Sequence, residues 1–224
     1  MKKRSLHFLR KIADIFIGIG GFIQKLWKHP KGRIGLIMVS FLIFIAIFAP
    51  LIAPYDPYDV TQRAAKGLSP SWNHLLGTTI TTGQDIFSML LYGTRVSLMV
   101  GLVTGVAIAF LGAILGIIAG YVGGVADNLI MRIVDVMLVI PTLPLVIVIT
   151  NLFGKTYLII VLIFIILGWT GLARVVRSLV LVIKNNNYVK ASELAGGSRW
   201  HIMTKHILPG VSHLLIMNTA LTCA

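Results

Sequence analysis

The residues able to do chemistry in this chain are few, and their spacing argues against a reaction centre. His74, His201, His206 and His213 are metal-ligand types, but no spacing among them matches a ligand set completed by Cys or carboxylates. The single cysteine, Cys223, has no partner for a disulfide or a thiolate cluster and reads as a small hydrophobe in an apolar run. Asp135 and Arg132 fall within an apolar stretch, where ionisable side chains are functional suspects, although an ion pair near the membrane surface is the simpler account. No GxxxxGKS/T loop is present to cradle phosphates. What remains is a polar, cationic island between two apolar runs, NYVKASELAGGSRWHIMTKHILP from Asn187 to Pro209, suited to docking rather than bond-making.

The elements that must position this island are membrane spans. Of 224 residues, 57% are hydrophobic and only 12% charged, far too apolar for an ordinary soluble domain. The expected fold class is all-α, a polytopic integral membrane protein. Residues 1–33 form a cytoplasmic or interfacial amphipathic segment with Trp27 at headgroup level, a short extra span over 12–27 being the competing reading. A first span follows over 34–54 and an extracytoplasmic connection over 55–96. A core over 97–224 then holds spans near 98–121, 129–150 and 157–173, the island over 184–209, and an apolar segment over 210–224. That last segment stops within fifteen residues, too short to cross, so the bundle is expected to be C-terminally truncated.

Charge sets the orientation. With the N-terminus inside, sixteen of the twenty Lys and Arg fall on the cytoplasmic side, and only Arg63, Lys66, Arg95 and Lys155 on the other. The net charge of +13 is therefore a topology signal, not a nucleic-acid footprint.

Within the core, Gly101, Gly105, Gly112, Gly116 and Gly120 place small residues at fourfold spacing along one helix face. In lipid such a stripe lets another backbone approach closely, so a tight helix contact is expected there. Pro141 and Pro144 should kink the third span. With Asp135 they are the candidate translocation path, although packing alone also accommodates such a bend. In the island, the asparagines 185–187 can cap a short helix and Gly196 and Gly197 can stop it. Ser198 can cap a second, which Pro209 should terminate. The product is a compact knob, or equally an amphipathic linker without a partner.

A family resemblance decides between these readings. YVKASELAGGSRWHIMTKHILP, residues 188–209, resembles the cytoplasmic loop of binding-protein-dependent ATP-binding cassette importers: an E-A-A triplet, a glycine, and a closing I-L-P. Here Lys190, Ala191 and Ser192 stand at the triplet, Gly196 at the glycine, and Ile207, Leu208 and Pro209 at the close. WNHLLGTTITTGQDIFSMLLYGTRVSL (72–98) is similar to the H-x-L-G-T-D, G-R-D-x-x-S and G-x-R-x-S-L signature of the dipeptide, oligopeptide and nickel permeases. MRIVDVMLVIPTLPL (131–145) and GWTGLARVVR (168–177) resemble their later motifs. Thr79 and Gln84 depart from the pattern's Asp and Arg, and Lys190 from its Glu. A cation in the first turn opposes the helix dipole by about 0.3–1 kcal/mol.

The resemblance implies a permease subunit, not an enzyme, for peptides or a related small solute. Tyr188, Lys190, Ala191, Ser192, Gly196, Ile207, Leu208 and Pro209 would couple it to the ATPase. It implies no cofactor in this chain, since ATP and Mg would bind the partner. Expected partners are membrane lipid, a second homologous permease, two cytoplasmic ATPase subunits and an extracytoplasmic solute-binding protein, in a bacterial or archaeal cytoplasmic membrane. The alternatives are an ion-coupled secondary transporter, for which Asp135 is the candidate ion site, and a truncated, non-functional remnant.

Overall fold

The computed structural model describes residues 24, 26–59, 64–154 and 156–223. The reading of the N-terminal segment, and of whether 12–27 spans the membrane or lies on it, falls mostly outside them. The chain forms two compact units, Met1–Val96 and Ser97–Ala224.

In the first unit, α1 spans Pro30–Ile52, with proline at its start where no amide partner is needed. It ends where Pro54 forces the preceding Ala53 into extended geometry, ψ 125°. The connection that follows is closed by side chains. Thr78 Oγ1 donates to the Ala65 carbonyl at 2.7 Å and accepts from the Leu68 amide at 2.9 Å, and Gln84 Nε2 donates to the Pro57 carbonyl at 2.6 Å. Gly77 is required here, because at φ +76° a Cβ would lie 2.3 Å from the Leu68 carbonyl oxygen.

Helix α2 runs from Ile86 to Val122, so the connection before it is shorter than the expected 55–96. The reason is local: Asp85 Oδ2 accepts the Ser88 amide at 2.8 Å, a helix cap that starts α2 twelve residues before the expected span. The first turns of α2 belong to the first unit and the rest to the second.

In the second unit, Gly123 and Gly124, at φ +70° and +57°, turn the chain from α2 into α3, Gly124–Val139. The third span is not one kinked helix. Helix α3 and α4, Thr142–Phe153, meet at 80°. Pro141 drives the preceding Ile140 into extended geometry, ψ 121°, and is itself extended, ψ 111°, as the cap residue of α4; two consecutive extended residues break a helix rather than bend it. Pro144 costs nothing further, because the first-turn amides of α4 have no intrahelical acceptor.

Helix α5, Tyr157–Ile183, continues ten residues beyond the expected end of the fourth span. It is the packing centre of the unit. Leu172, Val176, Val180 and Ile183 join Ile108 and Ile117 of α2, while Trp169 and Ala173 pack with Val134 of α3. Helix α6 is Asn187–Leu194 and α7 is Arg199–Ile202. A π-helical turn, Met203–Ile207, leads into α8, Leu208–Cys223. By length and apolarity, three of the described helices can cross a membrane, or four counting the broken pair as one span.

Candidate functional site

The island forms a knob seated on the end of the helical core. Val189 of α6 and Ile202 and Ile207 beyond the elbow are fully buried, in one cluster with Val180 and Ile183 of α5. Each such side chain contributes about 1.5–3 kcal/mol by leaving water. Ile202 and Ile207 are five residues apart, which in a regular α-helix places them well apart around the axis. The wide turn, with its i→i+5 bonding, brings both onto the core face.

That turn also corrects the expected end at Pro209. The helix passes straight through the proline, because a π-turn immediately before it relieves the amide-less position. The asparagine cap needs correction too: Asn186 occupies the cap position with extended backbone, but its side chain accepts no helix amide. The Ser198 side chain does cap α7, accepting the His201 amide at 3.3 Å. Gly196 supplies the elbow at φ +84°, and a Cβ at Gly197 would lie 2.8 Å from the Ser192 carbonyl oxygen.

The opposite face is presented outward. Tyr188, Lys190, Ala191, Glu193, Gly196, Leu208 and Pro209 are exposed, Ser192 is half-buried, and Leu194 and Trp200 expose 90% and 73% of their surface. Of the expected coupling residues, only Ile207 is a core residue. Two bonds tie the knob to the end of α2: Tyr121 Oη donates to Glu193 Oε1 at 3.0 Å, and Lys184 Nζ donates to the Gly120 carbonyl at 2.9 Å. Beside them Lys190, Lys184 and Arg199 line a hollow of about 340 Å³ with Glu193 as its one acid.

The glycine stripe of α2 lies against two helices. A Cβ at Gly112, Gly116 or Gly120 would come within 3.0 Å of Leu172, Ala173 and Val176, or Val180 of α5. Gly101 and Gly105 face Cys223 and Thr219 of α8. Arg177 of α5 grips Asp127 of α3 through two bonds, 2.5 and 2.6 Å, beside the glycine turn. Asp135 is paired with Arg174 of α5, and Pro141 and Pro144 are exposed at the helix break, so the structure does not gather these three into one site.

Sequence reasoning passed over Asp127, Arg177 and the Tyr121–Glu193 bond. The signal was two aspartates, eight apart, and two arginines, three apart, in otherwise apolar helices. It also passed over a buried cluster in the first unit. His74 Nδ1 lies 2.9 Å from Asp85 Oδ1, its ring stacks on Tyr55, and Ser88 Oγ donates to Asp85 Oδ2 at 2.8 Å. Burial pushes the Asp85 carboxyl up, but the Ser88 amide, the His74 ring and the Ser88 hydroxyl together hold it below 3.8. The neighbouring departures from the motif bond to each other: the Gln84 amide donates to Thr79 Oγ1, and Thr82 bridges the two side chains. Among the described residues no three His, Cys, Asp or Glu gather as a metal site.

Comparison with known proteins places these features. Residues 112–224 match the family model described as binding-protein-dependent transport system inner membrane component. Residues 20–70 match that of the N-terminal TM domain of oligopeptide transport permease C. The chain is 43% identical over 209 residues to the dipeptide transport system permease protein DppC of Escherichia coli (strain K12), covering 89% of this chain and 69% of that one. It is 35% identical over 206 residues to the oligopeptide transport system permease protein OppC of Bacillus subtilis (strain 168), covering 88% and 67%. To the dipeptide transport system permease protein DppC of the same organism it is 36% identical over 199 residues, covering 89% and 62%. The chain thus spans about two thirds of the length of these relatives.

Proposed function

This chain belongs to the family of binding-protein-dependent transport system inner membrane components, and from that premise we propose that it is the membrane-spanning permease subunit of an ATP-driven peptide importer, moved through its α6 elbow by a cytoplasmic ATPase. The observation that carries the reading is the two-sidedness of α6. Val189 is buried in the same cluster as α2 and α5, while Tyr188, Ala191 and Leu194 are exposed. A partner gripping the exposed side would therefore pull on the core of the spans rather than on a loose loop.

Peptides are the proposed cargo because the relatives are named as dipeptide and oligopeptide permeases. ATP and Mg²⁺ would bind the partner, and transport would need two ATPase subunits, a second homologous permease and an extracytoplasmic binding protein. The N-terminus is assigned to the cytoplasm by the excess of Lys and Arg on that side. Asp135, the acid an ion-coupled mechanism would need, is engaged by Arg174.

The test is Ala191→Trp and Gly196→Asp in the transporter reconstituted with its ATPase. Ala191 is exposed; at Gly196 nothing lies within 4 Å of a Cβ, but φ is +84°, so aspartate there also strains the elbow, and Ala191→Trp is the variant that tests docking alone. The expected result is membrane insertion as in wild type with loss of ATPase association and of ATP-driven dialanine uptake. Normal assembly and uptake in both variants, or wild-type uptake driven by a proton or sodium gradient without the ATPase, would overturn the proposal.

A further inference from the structure

Between α2 and the segment that follows the elbow lies an apolar groove of about 490 Å³, wholly within the second unit. Phe110, Ile114 and Ile118 of α2 line one side, and Met203, Leu208 and Leu215 the other. The one hydroxyl among the lining residues, that of Thr204, donates to the Trp200 carbonyl at 2.8 Å and is not free for a ligand.

The groove is half a membrane deep. Ala109 and Ile118, its limits on α2, lie about 14 Å apart along the axis at 1.5 Å per residue, the depth of one leaflet in a hydrocarbon core about 30 Å thick. A spanning helix of a neighbouring protein would need about twice that length, whereas one acyl chain fits it. Farther from the knob α2 closes on α8, where Gly105 meets Thr219 and Cys223.

At the knob the same face of α2 changes character. One turn past Ile117, Tyr121 lines the cationic hollow of about 340 Å³, and on α7 the adjacent Arg199 and Trp200 line hollow and groove respectively. None of Lys184, Lys190 and Arg199 is ion-paired among the described residues. Three cations against Glu193 leave the hollow with two positive charges in excess. Lys184 gives one N–H to the Gly120 carbonyl and keeps two.

In lipid an apolar groove alone selects nothing, since all tails are equally apolar, but a basic hollow at headgroup depth selects anionic headgroups. We infer that groove and hollow together hold one anionic glycerophospholipid, an acyl chain along α2 and the phosphate among Lys184, Lys190 and Arg199. The inference requires only that the chain sits in a membrane and does not depend on the peptide cargo.

The test uses the assembled transporter in detergent, incubated with phosphatidylglycerol that carries a diazirine in one acyl chain, and then illuminated. Lipid captured on this chain is mapped by mass spectrometry of its peptides. Capture should fall in residues 109–118 and 203–215, yield to unlabelled phosphatidylglycerol, and survive equal concentrations of phosphatidylcholine or inorganic phosphate. Arg199→Gln should lower it about tenfold, the weight of one charge-assisted hydrogen bond, and Arg199→Lys should retain most of it. Ile114→Trp, which fills the groove, should abolish it, while Leu102→Trp, exposed on α2 outside the groove, should leave it at the wild-type level. Equal competition by phosphatidylcholine would mean that the hollow does not select the headgroup, and equal competition by inorganic phosphate that it holds a free anion; either overturns the lipid site. Capture elsewhere, or none on the assembled transporter, which would place a protein segment in the groove, overturns it too, as does unchanged capture in Arg199→Gln and Ile114→Trp.

Discussion

Gly116→Ala probes how closely α2 and α5 must approach. An added Cβ would sit 2.7 Å from the Ala173 carbonyl oxygen and 2.8 Å from Val176 Cβ. The carbonyl is backbone and cannot rotate aside, so the helices must separate by several tenths of an ångström, loosening the contacts at Gly112 and Gly120 as well. Overpacking of this kind costs about 1–3 kcal/mol. Alanine also favours a helix over glycine by about 0.8–1.0 kcal/mol, which would partly mask the loss. Gly171→Ala on α5 removes that ambiguity, because nothing lies within 4 Å of its Cβ and it carries the propensity gain alone. The difference between the two variants should therefore be about 1–3 kcal/mol, or about 2–4 °C in melting midpoint per kcal/mol for a chain of this size. Size-exclusion of fluorescently tagged protein after heating in detergent measures the order. If Gly116→Ala melts with or above Gly171→Ala, the close seam is not what holds these helices together.

Two further outcomes follow from the charged pairs. Asp127→Asn removes the negative charge and one of the two acceptors facing the Arg177 guanidinium, 31% exposed against 14% for its partner; since the pair is only part-buried, the loss should be about 1–3 kcal/mol, below the cost of breaking a fully buried pair. Combining Asp127→Arg with Arg177→Asp should recover part of the melting temperature, and no recovery would mean that the bonds are incidental. Asp85 has a carboxyl pKa depressed below 3.8 in the folded state, so its stabilisation is complete above the unfolded value and lost only as pH falls through the depressed one. Protection of the amides in residues 64–88, taken as the observed exchange rate relative to the intrinsic rate at each pH, should be unchanged from neutral pH to about pH 5 and fall below about pH 4; loss of protection already near pH 6 would refute the assignment.

The spans were legible because uninterrupted apolar length is a strong signal, and the glycine stripe because its fourfold spacing names one helix face. Their boundaries were less so. Asp85 with Ser88 three residues on was a readable cap, but the polar, turn-rich run before residue 97 reads whole as the connection. The pairing of Pro141 and Pro144 was visible, yet whether two prolines bend or break a helix depends on Ile140 and Pro141 both turning extended. The knob's exposed side was legible through its motif. The wide turn was not, since burying residues five apart, as with Ile202 and Ile207, contradicts the period used to read helices.

Continuity through that wide turn changes the mechanics of the knob. From Arg199 to Cys223 the chain is one rod of 25 residues, about 37 Å long at 1.5 Å per residue. Gly210 rests on Ile183 roughly in the middle, where a Cβ would lie 2.8 Å from the isoleucine Cδ1. A tilt of about 5° there would carry the far end, about 20 Å away, through about 2 Å, a displacement typical of helix shifts in switching proteins. That end holds Cys223 against Gly101 and Gly105, so such a tilt would be felt at the glycine stripe of α2.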